Sequence, residues 1–126
     1  MPLILPSLLI VDDEQDICRL LQVLLQRHGL SSLSAMTGHD ALRLISQQHF
    51  GLIFLDIKLP DAEGLELAWQ IRQLDGDLPI VILSGYFYRY DIAIQQALDE
   101  GLIAGFIAKP FGNQDILDSV DRILKG

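Results

Sequence analysis

"LIFL", residues 52–55, is apolar at every position, and Asp56 follows it directly. Four residues are too few for a helix. A strand with one wet face would alternate apolar and polar side chains. A run apolar throughout is a strand covered on both faces, as in a parallel sheet lying under helices. Two more such runs lie outward from it, "LLIV" at 8–11 and "IVIL" at 80–83. "LSSLSAM" at 30–36 and "GFIA" at 105–108 are less apolar, which predicts edge strands.

Helical patterns fill the intervals. Residues 14–28 carry Ile17, Leu20, Leu21, Leu24 and Leu25 at helical spacing, and Gly29 ends the run. Thr37 with Asp40 reads as a capping box opening a helix through Ala41, Leu42, Leu44 and Ile45. Further helices are predicted at 64–74, with Leu65, Ala68, Ile71 and Arg72, at 91–100, and at 113–125, where Ile116, Leu117, Val120, Ile123 and Leu124 form an amphipathic stripe. Strand and helix thus alternate five times, the pattern of a doubly wound α/β domain with a parallel sheet. Right-handed crossovers put every strand's carboxyl end on one rim, where such folds bind ligands.

The 126 residues fit a single domain, with no linker, repeat or low-complexity tract. Half of them are hydrophobic, enough for a core without cross-links. The single cysteine, Cys18, falls among apolar helix positions and is expected in the core of a protein from a reducing compartment. A formal net charge of −8 argues against nucleic-acid binding and leaves cations and basic partners open. The opening "MPLILPSLL" lacks a positive n-region, and no apolar run nears the length of a membrane span. The expected location is the cytoplasm.

The chemistry lies in the residues at each strand's carboxyl end. "LLIV" runs into Asp12, Asp13 and Glu14, "LIFL" into Asp56, "IVIL" into Ser84 and Gly85, and "GFIA" into Lys109 and Pro110. If the first and third strands are neighbours, Asp12, Asp13 and Asp56 converge. Three close carboxylates repel unless a cation neutralises them or a proton is taken up. Oxygen donors of this kind suit Mg²⁺ with a phosphate partner. A hydroxyl at Ser84 and an ammonium at Lys109 are ordinary partners of phosphate oxygens. Singly, these residues read as caps, turns or solvated charges; jointly they form a phosphoryl-transfer constellation.

In "LLIVDDE" at 8–14, "LIFLDIKLPDAEGLEL" at 52–67, "VILSG" at 81–85 and "FIAKPF" at 106–111, the chain resembles the receiver domains of two-component response regulators, in particular the chemotaxis-regulator type. The resemblance covers about residues 7–125 of a single domain spanning 1–126. It implies a flavodoxin-like (βα)5 fold with strand order 2-1-3-4-5. It implies Asp56 as phosphoacceptor and Mg²⁺ or Mn²⁺ as cofactor. Asp13, Asp56 and the backbone carbonyl of Lys58 would ligate the metal directly, and Asp12 through water. Lys109 and Ser84 would hold the phosphoryl group, Gly85 would leave it room, and Phe106 would be the aromatic that swings inward. Pro60 and Gly64 match the turn after the acceptor, and Lys109–Pro110 a bond often cis in the family. The implied partners are a sensor histidine kinase or phosphotransfer protein, an output domain or target protein, and a second copy meeting at the face of the fourth helix, last strand and last helix. Nucleic acid and membrane are not among them. The domain would be a regulatory phosphoacceptor and not a turnover enzyme.

Two departures stand out. The interval from Ser84 to Lys109 is a few residues longer than usual in the family. All three tyrosines and Phe87 lie within residues 86–90. Lys58 and Tyr86 occupy positions that modulate phosphoryl lifetime in the family. Phe87, Tyr88 and Tyr90 would then offer a partner surface, or simply cover a longer loop. The ending "DRILKG", with no linker or output module after it, favours a stand-alone regulator. The alternative function is a Mg²⁺-dependent phosphohydrolase with an aspartyl nucleophile. Haloacid-dehalogenase-like enzymes carry a second acid two residues after the nucleophile, where this chain has Lys58. A flavin mononucleotide carrier needs a hydroxyl- and glycine-rich loop after the first strand, and "DDEQD" would repel its phosphate.

Overall fold

The computed structural model describes residues 7–85 and 92–125. Ten elements alternate along the chain: β1 (Leu8–Val11), α1 (Gln15–Arg27), β2 (Ser32–Ala35), α2 (Gly38–Gln47), β3 (Leu52–Asp56), α3 (Gly64–Leu74), β4 (Ile80–Ser84), α4 (Ile92–Asp99), β5 (Gly105–Ala108) and α5 (Asn113–Lys125). The five strands form one parallel sheet in the order β2-β1-β3-β4-β5. The two weakly apolar strands are therefore the edges, and the three apolar runs are central.

Alternation along the central strands feeds two cores. Leu9, Val11, Ile53, Leu55, Ile80 and Ile82 face α2, α3 and α4, meeting Ala41, Ile45, Leu67, Ile71 and Ile94. Leu8, Ile10, Leu52, Phe54, Val81 and Leu83 face α1 and α5, meeting Cys18, Leu21, Leu25, Ile116 and Val120. Both faces are dry, which is why the runs are continuous rather than alternating.

Local signals set the helix ends. Gly29 takes a φ of +84° after α1, a conformation that glycine reaches without strain. Thr37 Oγ1 accepts from Asp40 N at 3.1 Å, one half of the predicted capping box. The carboxylate of Asp40 lies 3.7 Å from Arg43. Glu63 caps α3, its two oxygens accepting from Leu65 N and Glu66 N at 3.1 Å each.

Register then sets the site. Val11 pairs with Leu55 and Ser84 with Ala108, so Asp12, Asp56, Ser84 and Lys109 leave neighbouring strands at one level of the carboxyl rim. The point between β1 and β3, where the chain's winding reverses, carries the carboxylates.

Candidate functional site

Asp56 is the last residue of β3, one position further into the strand than the apolar run alone indicates. It is buried, as are Asp12 and Ser84, the latter likewise ending its strand. Asp13 is exposed beside them. One oxygen each from Asp12, Asp13 and Asp56 lies within 4.8 Å of the others. The predicted convergence of β1 and β3 is thus present.

Lys109 enters from the end of β5. Its Nζ lies 2.7 Å from Asp12 Oδ2 and 3.7 Å from both Asp56 Oδ1 and Glu14 Oε1. The other Asp12 oxygen accepts from Glu14 N at 2.9 Å. The backbone holds these groups in place. Asp12 N donates to Ala35 O at 3.1 Å, Ile57 N to Leu83 O at 3.1 Å and Lys109 N to Ser84 O at 2.7 Å. The Lys109–Pro110 bond is cis, as expected.

The electrostatics are those of an under-neutralised cavity. Burial, and then the charge of Asp12, push the Asp56 carboxyl up to about 6, against the pull of Lys109 and a backbone hydrogen bond from Lys58. Burial draws Lys109 down, but the hydrogen bond and charge of Asp12, with Asp56 and Glu14, more than offset this and hold its ammonium above the usual range. One ammonium faces three carboxylates and Glu14. A divalent cation bound by oxygen would offset most of that excess, and the donor set fits one. Cys18 is buried on the α1 side, its Sγ 3.4 Å from the Asp12 carbonyl, and burial with the Asp12 charge raises its thiol to about 11. That is a core thiol rather than a nucleophile.

The chain is similar to known proteins. The family model described as the response regulator receiver domain matches residues 8–121. The chain belongs to the response regulator receiver domain family. It is 31% identical over 118 residues to the sporulation initiation phosphotransferase F of Bacillus subtilis, covering 94% of this chain and 93% of that protein. It is 33% identical to the C4-dicarboxylate transport transcriptional regulatory protein DctD of Rhizobium meliloti over 93% of this chain, which spans only a quarter of that protein's length. Among solved structures, the Thermotoga maritima response regulator TrrA in complex with Mg²⁺-BeF superposes with a TM-score of 0.82 at 30% identity, over 94% of this chain and 99% of that one. The protein is therefore a receiver domain, a regulatory phosphoacceptor module of two-component signalling.

The structure places the other residues singled out in the sequence as follows. Gly85 is exposed beside the site, and Phe106 is half-buried on β5. With Ala108, Pro110, Asp115 and Asp118, Phe106 lines a groove between β5 and α5. Lys58 is exposed and bridges antiparallel to Glu63. Tyr86, Phe87, Tyr88 and Tyr90 lie outside the described residues. Among the described residues no helix is long and apolar enough to cross a membrane.

Two polar residues do structural work that the sequence patterns do not reveal. Arg72 falls in the predicted stripe of α3, yet its guanidinium donates to the carbonyls of Leu78 at 2.7 Å, Gly76 at 3.0 Å, Asp75 at 3.3 Å and Leu102 at 2.6 Å. Asp61, in the turn after Asp56, accepts from Gly38 N at 2.8 Å and His39 N at 3.0 Å. The Asp61 partners lie 23 and 22 residues away, while Arg72 joins the turn that follows α3 to Leu102, 30 residues on; all of them are backbone atoms, which no side-chain periodicity encodes. Glu63 did carry a signal, an acid directly before a helical stripe.

Proposed function

We propose that Asp56 is the phosphoacceptor of this receiver domain, charged by a phosphohistidine on a sensor histidine kinase or phosphotransfer protein. The observation that carries this is the placement of Asp56, buried at the rim, within 4.8 Å of Asp12 and Asp13 and 3.7 Å from Lys109. Asp12, Asp13, Asp56 and the Lys58 carbonyl would hold Mg²⁺ or Mn²⁺, which supplies charge neutralisation for the incoming phosphoryl oxygens. A carboxylate oxygen of Asp56 forms the new O–P bond as the donor's N–P bond breaks, and the imidazole leaves with the electron pair. Lys109, held by Asp12, presents an ammonium to the transferred group. Ser84 supplies a hydroxyl at the next strand end. The phosphoryl group adds charge and strong acceptors, which draws Ser84 and Lys109 inward and remodels the face of α4, β5 and α5, where Phe106 lies. That face is the proposed contact for an output domain, target protein or second copy. Lys58 and Tyr86, each two residues beyond a site residue, would set phosphoryl lifetime. The single domain would act in the cytoplasm, and Phe87, Tyr88 and Tyr90 would add to its partner surface.

The test is mass spectrometry after incubation with acetyl phosphate and Mg²⁺. Wild type should gain one phosphoryl group and Asp56→Asn none. An unmodified wild type would overturn the assignment. A steady-state phosphatase assay addresses the hydrolase alternative, for which an exposed Lys58 stands where the second acid is needed.

A further inference from the structure

Asp61 stands three residues after Lys58 in the turn joining β3 to α3. That turn is closed on itself: Leu59 N donates to Ala62 O at 3.1 Å and Gly64 N to Ile57 O at 2.7 Å, and Lys58 bridges to Glu63. It is also tied outward. The Asp61 carboxylate takes the amides of Gly38 and His39, the first two residues of α2, from 23 and 22 residues away. Thr37 takes the third amide, and Ala41 N returns to Thr37 O at 3.1 Å. The first turn of α2 is thereby fully satisfied, half of it by a remote carboxylate. These two amides hold the Asp61 carboxyl below its usual range, as a charge at a helix N-terminus should be held.

The close approach is built in. A Cβ at Gly38 would sit 3.0 Å from the Ala62 Cβ and 3.4 Å from Asp61 Oδ1, so only glycine lets the turn come this near without adjustment. The contact also completes a circuit. Asp12 N is held by Ala35 O at the end of β2, and α2 starts three residues later at Gly38. Gly38 holds Asp61, whose turn carries Lys58, and the Lys58 backbone donates to Asp56. One route between the Asp12 side of the cluster and the Asp56 side therefore runs through the Asp61 carboxylate.

We propose that Asp61 is a positioning residue for the cation site: by clasping α2 it holds the turn after β3, and with it the Lys58 carbonyl, against the carboxylates that strand register brings together. This rests on the cation-dependent phosphoacceptor reading above. Loss of the clasp weakens divalent-cation affinity although no ligand is removed.

The experiment is a calorimetric Mg²⁺ titration of wild type, Asp61→Ala, Asp61→Asn, Thr37→Ala and Asp13→Asn, with amide hydrogen exchange on the metal-free proteins. Asp61→Ala should bind Mg²⁺ roughly tenfold more weakly, the low end of what loss of an outer contact costs a metal site. Asp61→Asn, which keeps one acceptor, should fall between. Thr37→Ala removes the other cap of the same helix and should leave affinity within about twofold. The Lys58 amide should exchange faster in Asp61→Ala and not in Thr37→Ala. If Asp61→Ala loses thermal stability as Thr37→Ala does but binds Mg²⁺ like wild type, the clasp is only a helix cap and the inference falls alone. If wild type itself shows no Mg²⁺ binding that Asp13→Asn abolishes, the cation-site reading falls with it.

Discussion

At the scale of single residues, Asp56 carries the site's unspent electrostatic tension. Its carboxyl titrates near 6 in the fold against an ordinary value of 3.8. Between those values the folded chain binds more protons than the unfolded one, so stability from this group falls as pH rises through that window. Asp61 has the opposite sign: its lowered carboxyl contributes stability above the ordinary value and loses it as pH falls through the folded one. Asp56→Asn isolates the first effect. Without divalent cations the variant should match wild type near pH 4 and exceed it above pH 6, by up to about 3 kcal/mol for a shift from 3.8 to about 6. Urea unfolding at several pH values measures the difference, and a constant difference would mean that Asp56 is not strained. The residues that carry this chemistry were legible because each directly follows an apolar run. Asp61 and Arg72 were not, because both bind backbone atoms, which leave no side-chain pattern, and the Asp61 partners and Leu102 come near only through the fold.

At the scale of elements, the turn after Asp56 is held by close backbone packing. A Cβ at Gly64 would lie 2.7 Å from Ile57 Cα, 3.1 Å from Asp56 O and 3.2 Å from Ile57 O. No rotamer relieves a clash with main chain. Gly64→Ala should therefore cost roughly 2 kcal/mol in denaturant unfolding and slow phosphorylation of Asp56 by acetyl phosphate, since the turn must move away from β3. At the opposite rim, Arg72 fastens α3 to the entry of β4 and to Leu102 before β5. Arg72→Met keeps the apolar stem and leaves those carbonyls short of a donor. It should cost roughly 2–4 kcal/mol by the same measurement. Arg72→Lys should recover little, because one ammonium cannot span both loops. The elements themselves followed from periodicity, with ends moved by a residue or two. Seven positions proposed for β2 shortened to four, as β1, its only neighbour in the sheet, offers four residues to pair with. The turn of residues 57–63 had no periodic signal, so its hydrogen-bonded closure emerges only from the structure.

At the scale of the whole molecule, strand–helix alternation implied a parallel sheet, but strand order came only through the family resemblance. Apolar runs at 8–11, 52–55 and 80–83 are all marked as interior strands, but they are equivalent by composition, and nothing in them says in what order they lie side by side. The order matters because it places β1 beside β3 and so gathers charge at one point of a chain whose net charge is already −8. A cation bound there should stabilise the fold by mass action, roughly 2.7 kcal/mol at a hundredfold excess over its dissociation constant. For a domain of this size that corresponds to a Tm rise on the order of 10 °C. Screening of a −8 chain by any salt would also raise Tm, so the comparison belongs at constant ionic strength, with NaCl replacing MgCl₂. Under those conditions wild type should gain stability with the logarithm of Mg²⁺ concentration once the site fills. Asp13→Asn should lose most of the gain, because Asp13 is the exposed member of the cluster and its removal disturbs no packing. Equal gains in the two proteins would place the stabilising cation elsewhere on the acidic surface.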